Sequence, residues 1–184
     1  MDKNDRRAYH GARLRRKGYM TEKHKTNSMR LLEDRKVAYT VHYYSPDIHS
    51  ADGVADALGA PAAQVFKTLV ALPQRGKPIL AIVPGDRELD LKRLSKAVSD
   101  KKVQMATQKE AEALTGLQVG GISALALVDK GFRVVLDASA GHYETIYVSA
   151  GERGINLQVP LEALIRITRA RMAAIATTEP ALKL

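Results

Sequence analysis

The chain predicts a single mixed α/β domain with a curved, mostly antiparallel mixed sheet or partial barrel flanked by helices. Three observations carry that expectation. Amphipathic helical stretches alternate with β-branched strand runs, the connections between them are short and marked by Gly, Pro, Asp or Ser, and no internal repeat divides the 184 residues. At 45% hydrophobic, a chain of this length can bury one core and carry an appendage.

Residues 1–25 show no sustained hydrophobic period and are rich in Arg, Lys, Gly and Tyr, which predicts a basic, flexible N-terminal extension ahead of a domain over 26–184. Thr26-Asn27-Ser28 offers cap chemistry for a short helix carrying Met29, Leu31, Leu32 and Val37. A strand over Tyr39 to Tyr44 follows and stops at Ser45-Pro46-Asp47. Ser50 to Gly59 reads as a helix with a C-terminal glycine, and Pro61 introduces the strand Val65 to Leu72. A hairpin at Gln74-Arg75-Gly76-Lys77 leads to a strand from Pro78 to Pro84. Leu91, Leu94 and Val98 lie at helical spacing, with basic residues on the opposite side of that helix. Thr107 and Glu110 fit a capping box for a helix that Gly116 stops. Three strands come next, Phe132 to Asp137, Thr145 to Ser149 and Ile155 to Val159, and Pro160 opens a closing helix that begins a helical tail.

Charge is concentrated at one end. Residues 1–36 hold 12 lysines and arginines against 5 acids, while the remaining chain has 17 against 15. A basic arm of this kind reads either as a contact to nucleic-acid backbones or as a solvated tail. With no cysteine, the chain has no disulfide framework, no thiol nucleophile and no Cys-ligated metal. No apolar run approaches the roughly 20 residues of a membrane helix, and the first 20 residues are too charged for a secretory signal, so the expected location is the cytoplasm.

The chemistry begins at Lys67, an ammonium inside the apolar run Val65-Phe66-Lys67-Thr68-Leu69-Val70. Burying it unpaired would cost several kcal/mol, so it demands an anion or an open strand end where its head reaches water. Val119-Gly120-Gly121-Ile122-Ser123 follows a helix end, and its backbone can turn sharply and present N–H groups to an oxyanion; a plain turn is the other reading. Asp137 ends an apolar strand, where it reads as a partner of Lys67, a binder of a substrate amine, or a turn residue. His42 and His49 have no matched ligand partner and read as surface or pocket-wall residues. Neither Ser123 nor Ser149 has the adjacent base that a nucleophile needs, and no phosphate-binding Gly-rich loop is present.

Taken together, Phe66-Lys67-Thr68-Leu69, Leu89-Asp90-Leu91-Lys92, Val119-Gly120-Gly121-Ile122-Ser123, Leu136-Asp137 and Thr145 to Gly154 resemble, in order and near spacing, the YbaK/prolyl-tRNA-editing family. The resemblance spans about residues 26–168 and leaves out the basic arm. It implies the editing-domain fold and a metal-independent, cofactor-free aminoacyl-tRNA deacylase acting in trans, typically on Cys-tRNA(Pro). The implied partners are mischarged tRNA, tRNA(Pro) foremost, and prolyl-tRNA synthetase. Lys67 matches the family's essential lysine and Gly120-Gly121-Ile122-Ser123 the loop facing the aminoacyl group. Gly120 and Gly121 are the expected oxyanion donors, with Ile122 and Ser123 beside the substrate. Tyr44 and Asp137 fall where family members have pocket residues. Ala124 stands where members commonly have proline, which leaves the amino acid removed open. The alternative is a non-catalytic tRNA- or synthetase-binding module of the same fold. An aminoacyl ester is already activated by its neighbouring ribose hydroxyl, so positioned water plus oxyanion stabilisation suffices for its hydrolysis.

Overall fold

The structure is a computed structural model that describes residues 24–178. The basic extension therefore lies outside the described residues except for His24 and Lys25, as do residues 179–184.

Two sheets form the frame. Strands β1 (Thr40–Tyr43), β7 (Ile155–Pro160) and β6 (Thr145–Ser149) make an antiparallel three-stranded sheet in that order. The five-stranded sheet runs β4 (Val103–Met105), β2 (Phe66–Pro73), β3 (Ile79–Pro84), β5 (Arg133–Asp137) and β8 (Arg171–Ala173). Four of the six strand pairings are antiparallel, and β5 pairs in parallel with both its neighbours, which makes the fold the expected mixed, mostly antiparallel α/β class. A single parallel bridge from Val65 to Tyr147 joins the sheets where β2 begins. The assembly is open rather than a closed barrel.

The helices form where the sequence places their caps. Thr26 accepts from Met29 N to start α1 (Asn27–Asp34), and Ser50 accepts from Gly53 N to start α2 (Ala51–Leu58). Asp90 accepts from Lys92 N and Arg93 N ahead of α3 (Leu91–Val98). Thr107 and Glu110 close a reciprocal capping box on α4 (Gln108–Thr115). Helix α5 (Leu161–Thr168) follows Pro160 directly, as that residue's fixed φ favours.

Alternation then divides the five-stranded sheet into two covered faces. Phe66, Val70, Leu80, Ile82 and Leu136 join Met29 and Leu32 of α1, Leu164 of α5 and Ile146, Val148 and Leu157 of the smaller sheet in the main core. Ala71, Ile79, Ala81, Val83 and Val135 face the other way and meet Leu94 and Val98 of α3. Full burial of a leucine such as Leu94 stabilises by roughly 2 kcal/mol. No helix among the described residues is long and apolar enough to cross a membrane.

One sequence expectation is corrected here. As far as Thr178 the segment after α5 is not a helical tail: it is extended, adds β8 to the edge of β5, and bridges Ala176 to Leu89. The physical reason lies in Asp137. Its Oδ2 accepts from Ile175 N at 2.8 Å and Ala176 N at 2.7 Å, and its Oδ1 accepts from Ser139 N at 3.0 Å. A buried carboxylate holding two consecutive amides fixes an extended approach and leaves those amides no helical partner.

Candidate active site

Lys67 stands at a boundary. Val65, Lys67 and Leu69 share one face of β2, and Lys67 is in register with Val83. Beyond Lys67 that face is roofed by α3 and is apolar. On the other side of Lys67, the Val65–Tyr147 bridge carries the face onto the smaller sheet, where the registers place Tyr147, Ser149, Asn156, Gln158 and His42. Lys67 is thus the first residue past the roof, which explains an ammonium within an apolar run: its stem packs and its head emerges. Its side chain is 26% exposed, and Nζ lies 3.3 Å from Oε1 of Glu88, a carboxylate 60% exposed on the loop between β3 and α3. An exposed pair of this kind contributes about 1 kcal/mol or less, so a substrate anion can displace it.

Tyr44 reaches the same face. Its phenol donates to Asn156 Oδ1 across a long 3.5 Å, and its backbone N–H donates to Gly154 O at 2.9 Å. Burial pushes the phenol pKa above its ordinary value, with a smaller opposing effect from the Gly154 backbone, so the hydroxyl stays a donor at neutral pH. His42 meets the Tyr147 ring edge-on at 5.2 Å. Burial lowers the imidazole pKa, outweighing the opposing influence of Gln158, and favours the neutral ring; its Nε2 has no hydrogen-bond partner among the described residues.

The glycine loop is pinned from two sides. Val119 N donates to Glu112 Oε1 of α4 at 3.0 Å, and Arg153 Nε donates to Val119 O at 2.7 Å. Gly120 has φ +90°, a left-handed backbone that glycine adopts without penalty. Gly121 lies against the turn between β6 and β7, where a Cβ would stand 2.9 Å from both Arg153 N and Glu152 C. That turn also approaches Tyr44, since a Cβ on Gly154 would meet Tyr44 O at 3.0 Å. Residues 150–154 therefore connect the loop to the Tyr44 side of the polar face.

Several expected roles change. The Gly121 N–H donates to Gln118 O at 2.8 Å, closing the turn, so it is not a free oxyanion donor; the N–H groups of Gly120 and Ile122 have no partner among the described residues. The Ile122 side chain belongs to the main core. Ser123 is 1% exposed, with its hydroxyl 3.1 Å from that of Ser28 on α1, so it anchors the loop instead of facing a substrate. Asp137 neither pairs with Lys67 nor opens to a pocket, because its carboxylate is taken up by the three amides described above. Ala124 adopts φ −63°, the value a proline ring would impose, so the loop follows a proline-compatible path without the ring. Asn156, Gln158 and Tyr147 were not singled out from sequence. Their signal was available: polar residues occupy every second position in Ile155 to Val159 and Thr145 to Ser149.

Gly121→Ala is expected to displace the loop, because both crowding atoms are backbone. A loss of about tenfold to a hundredfold in hydrolysis, with roughly 1–3 kcal/mol of stability, would be read by kinetics alongside thermal melting.

Among the described residues, no group of three or more His, Asp or Glu is placed to hold a metal. Residues 45–167 match the aminoacyl-tRNA editing domain. The chain belongs to that family. It is 41% identical over 157 residues to a candidate Cys-tRNA(Pro)/Cys-tRNA(Cys) deacylase, EbsC, of Enterococcus faecalis, covering 84% of this chain and 95% of that one. A proline–tRNA ligase of Fervidobacterium nodosum is 33% identical over 94 residues, which is 51% of this chain and only 16% of the ligase. A crystal structure described as a candidate trans-editing enzyme for prolyl-tRNA synthetase superposes with a TM-score of 0.71 at 24% identity, over 82% of this chain and 95% of that one, and shows the shared fold. The editing domain's reaction class is hydrolysis of aminoacyl-tRNA esters, and the chain is an aminoacyl-tRNA deacylase on that basis.

Proposed function

We propose that this editing domain acts in trans, in the cytoplasm, on mischarged tRNA, with Cys-tRNA(Pro) as the first substrate. The observation that carries the reading is the placement of Lys67 just outside the α3 roof, facing a polar sheet face and held, among the described residues, by the exposed Glu88. In this reading Lys67 exchanges Glu88 for the ester carbonyl or the terminal phosphate of the substrate. The free N–H groups of Gly120 and Ile122 stabilise the tetrahedral oxyanion, replacing the Gly120–Gly121 pair expected from sequence. The Tyr44 phenol and the Asn156 amide supply hydrogen bonds to the aminoacyl group or the terminal ribose. The terminal 2′-hydroxyl or an ordered water carries the proton. The EbsC relative supports the amino acid and tRNA named here, and the match to a stretch of proline–tRNA ligases supports prolyl-tRNA synthetase as a working partner.

The test is hydrolysis of Cys-tRNA(Pro), Ala-tRNA(Pro), Ser-tRNA and Pro-tRNA(Pro) in the presence of a chelator. Chelator-resistant hydrolysis of Cys-tRNA(Pro), with Pro-tRNA(Pro) spared, is the expected result. Binding of every tRNA with hydrolysis of none would replace this reading with that of a binding module.

A further inference from the structure

Away from Lys67, a groove of about 800 Å³ opens at the other end of the five-stranded sheet. Six cations line it, Arg35, Lys77, Arg133, Arg166, Arg169 and Arg171, against a single carboxylate, Asp129. All six are exposed, and none of them forms an ion pair among the described residues. Such a concentration of one sign repels itself and is costly unless an anion is bound there.

The groove is built rather than incidental. Arg133 Nη2 donates to Val98 O at 2.8 Å and Arg171 Nη1 donates to Ala97 O at 2.6 Å, so two guanidinium groups are fixed on the C-terminal carbonyls of α3. Arg169 is the C-cap of α5, with φ +54°. These arginines come from β5, β8 and α5, three elements whose approach is settled by packing.

Helix α3 links this groove to the site. It begins at the Asp90 cap, two residues from the Glu88 that pairs with Lys67, and ends at the carbonyls that Arg133 and Arg171 bind. Its length is roughly 12 Å. Lys92 and Lys96, one helical turn apart, are its exposed basic residues, and neither has a carboxylate partner among the described residues. Lys67, Lys92, Lys96 and the groove thus form a line of positive charge over one face of the molecule.

We propose that this line binds the sugar-phosphate backbone of a structured RNA, the basic groove tracking the duplex whose unpaired 3′ end runs along α3 to Lys67. The inference rests on the tRNA-ester reading above for the identity of that RNA. A row of arginines and lysines at this spacing suits successive phosphates, and fixed guanidinium forks suit their oxygens. An RNA duplex is recognised through such backbone contacts over more than one groove width, which makes a contact removed from the reacting ester expected.

The experiment compares wild type with Arg166→Glu/Arg169→Glu and with Lys92→Glu/Lys96→Glu. Uncharged tRNA binding is measured by filter retention across a salt series, and hydrolysis is measured on full-length charged tRNA and on the same aminoacyl ester carried by a CCA trinucleotide. Each double variant is expected to weaken tRNA binding and raise KM for full-length tRNA by roughly tenfold or more, with the log–log salt slope reduced by about 1.5 to 2. For the Arg166/Arg169 variants the trinucleotide reaction stays at the wild-type rate. The neutral pair Arg166→Gln/Arg169→Gln is expected to give a smaller loss in the same direction, and guards against misfolding of the charge reversals. Unchanged tRNA binding and salt slope in the double variants would overturn the proposal. So would a parallel loss on the trinucleotide in the Arg166/Arg169 variants, or wild-type binding of polyglutamate as tight as that of tRNA, which would assign the groove to an acidic protein. If no ester is hydrolysed but the variants still lose tRNA affinity, the deacylase reading fails and the RNA track stands.

Discussion

Lys67→Ala is expected to lower kcat for ester hydrolysis by about 10²- to 10³-fold, the range found when one preorganised donor to a developing oxyanion is removed. The substitution takes away the cation at the meeting of the α3 roof and the polar face, and the arginines on the adjoining loop and helix are held elsewhere, Arg87 on Thr177 O and Arg93 on Asp90 and Ala176 O. Folding should change little, since the Glu88 pair is exposed and the alanine methyl remains beside Val83. Lys67→Arg keeps the charge but places a planar fork where a compact ammonium stood, and is expected to recover only part of the rate. Rate retention in Lys67→Ala, with the protein folded, would remove Lys67 from the mechanism.

Asp137→Ala is expected to cost about 3 kcal/mol or more of stability, because it strands three amides that converge on a carboxylate only 5% exposed. Burial acts to raise this carboxyl's pKa, but the bonds from Ser139, Ala176 and Ile175 together outweigh it and hold the folded value below the ordinary one. The sign of the pH dependence follows. The contribution is fully present above the unfolded carboxyl pKa of about 3.9 and is lost as the pH falls through the lower folded value. Thermal melting of wild type should therefore decline more steeply in acid than that of Asp137→Ala. Amide exchange at Ile175 and Ala176 should accelerate in the variant. Equal melting temperatures at pH 7 would show that the latch contributes nothing.

Most of the frame was legible from local signals, since caps at Thr26, Ser50 and Thr107 and breaks at Gly59 and Gly116 act within a few residues. The short strands β4 and β8 were not, because three residues carry almost no periodicity and exist only through their neighbours. Lys67 stood out because its run is otherwise apolar. Its partner did not: Glu88 lies 21 residues away in a polar loop, and Asp137 was the more conspicuous acid. Of the readings open for Asp137, the turn residue is the one its bond from Ser139 N fits; a strand-end carboxylate looks the same in sequence whether it faces a ligand or two backbone amides from a distant segment. Within the Gly120-Gly121 pair, which amide is spent on the turn is decided by Gln118, a matter of dihedral angles.

The lone rung between Val65 and Tyr147 has a further consequence. It ties together residues about eighty positions apart, and the polar face is completed only when β7, later still, pairs with β1. Closing such long loops is entropically expensive and slow compared with forming the helices and the β2–β3 hairpin. The strands that carry Tyr147, Asn156 and Gln158 therefore join the face of Lys67 late in folding. A nascent chain emerging from the ribosome carries Lys67 early and has no polar sheet face beside it until β7 has been made.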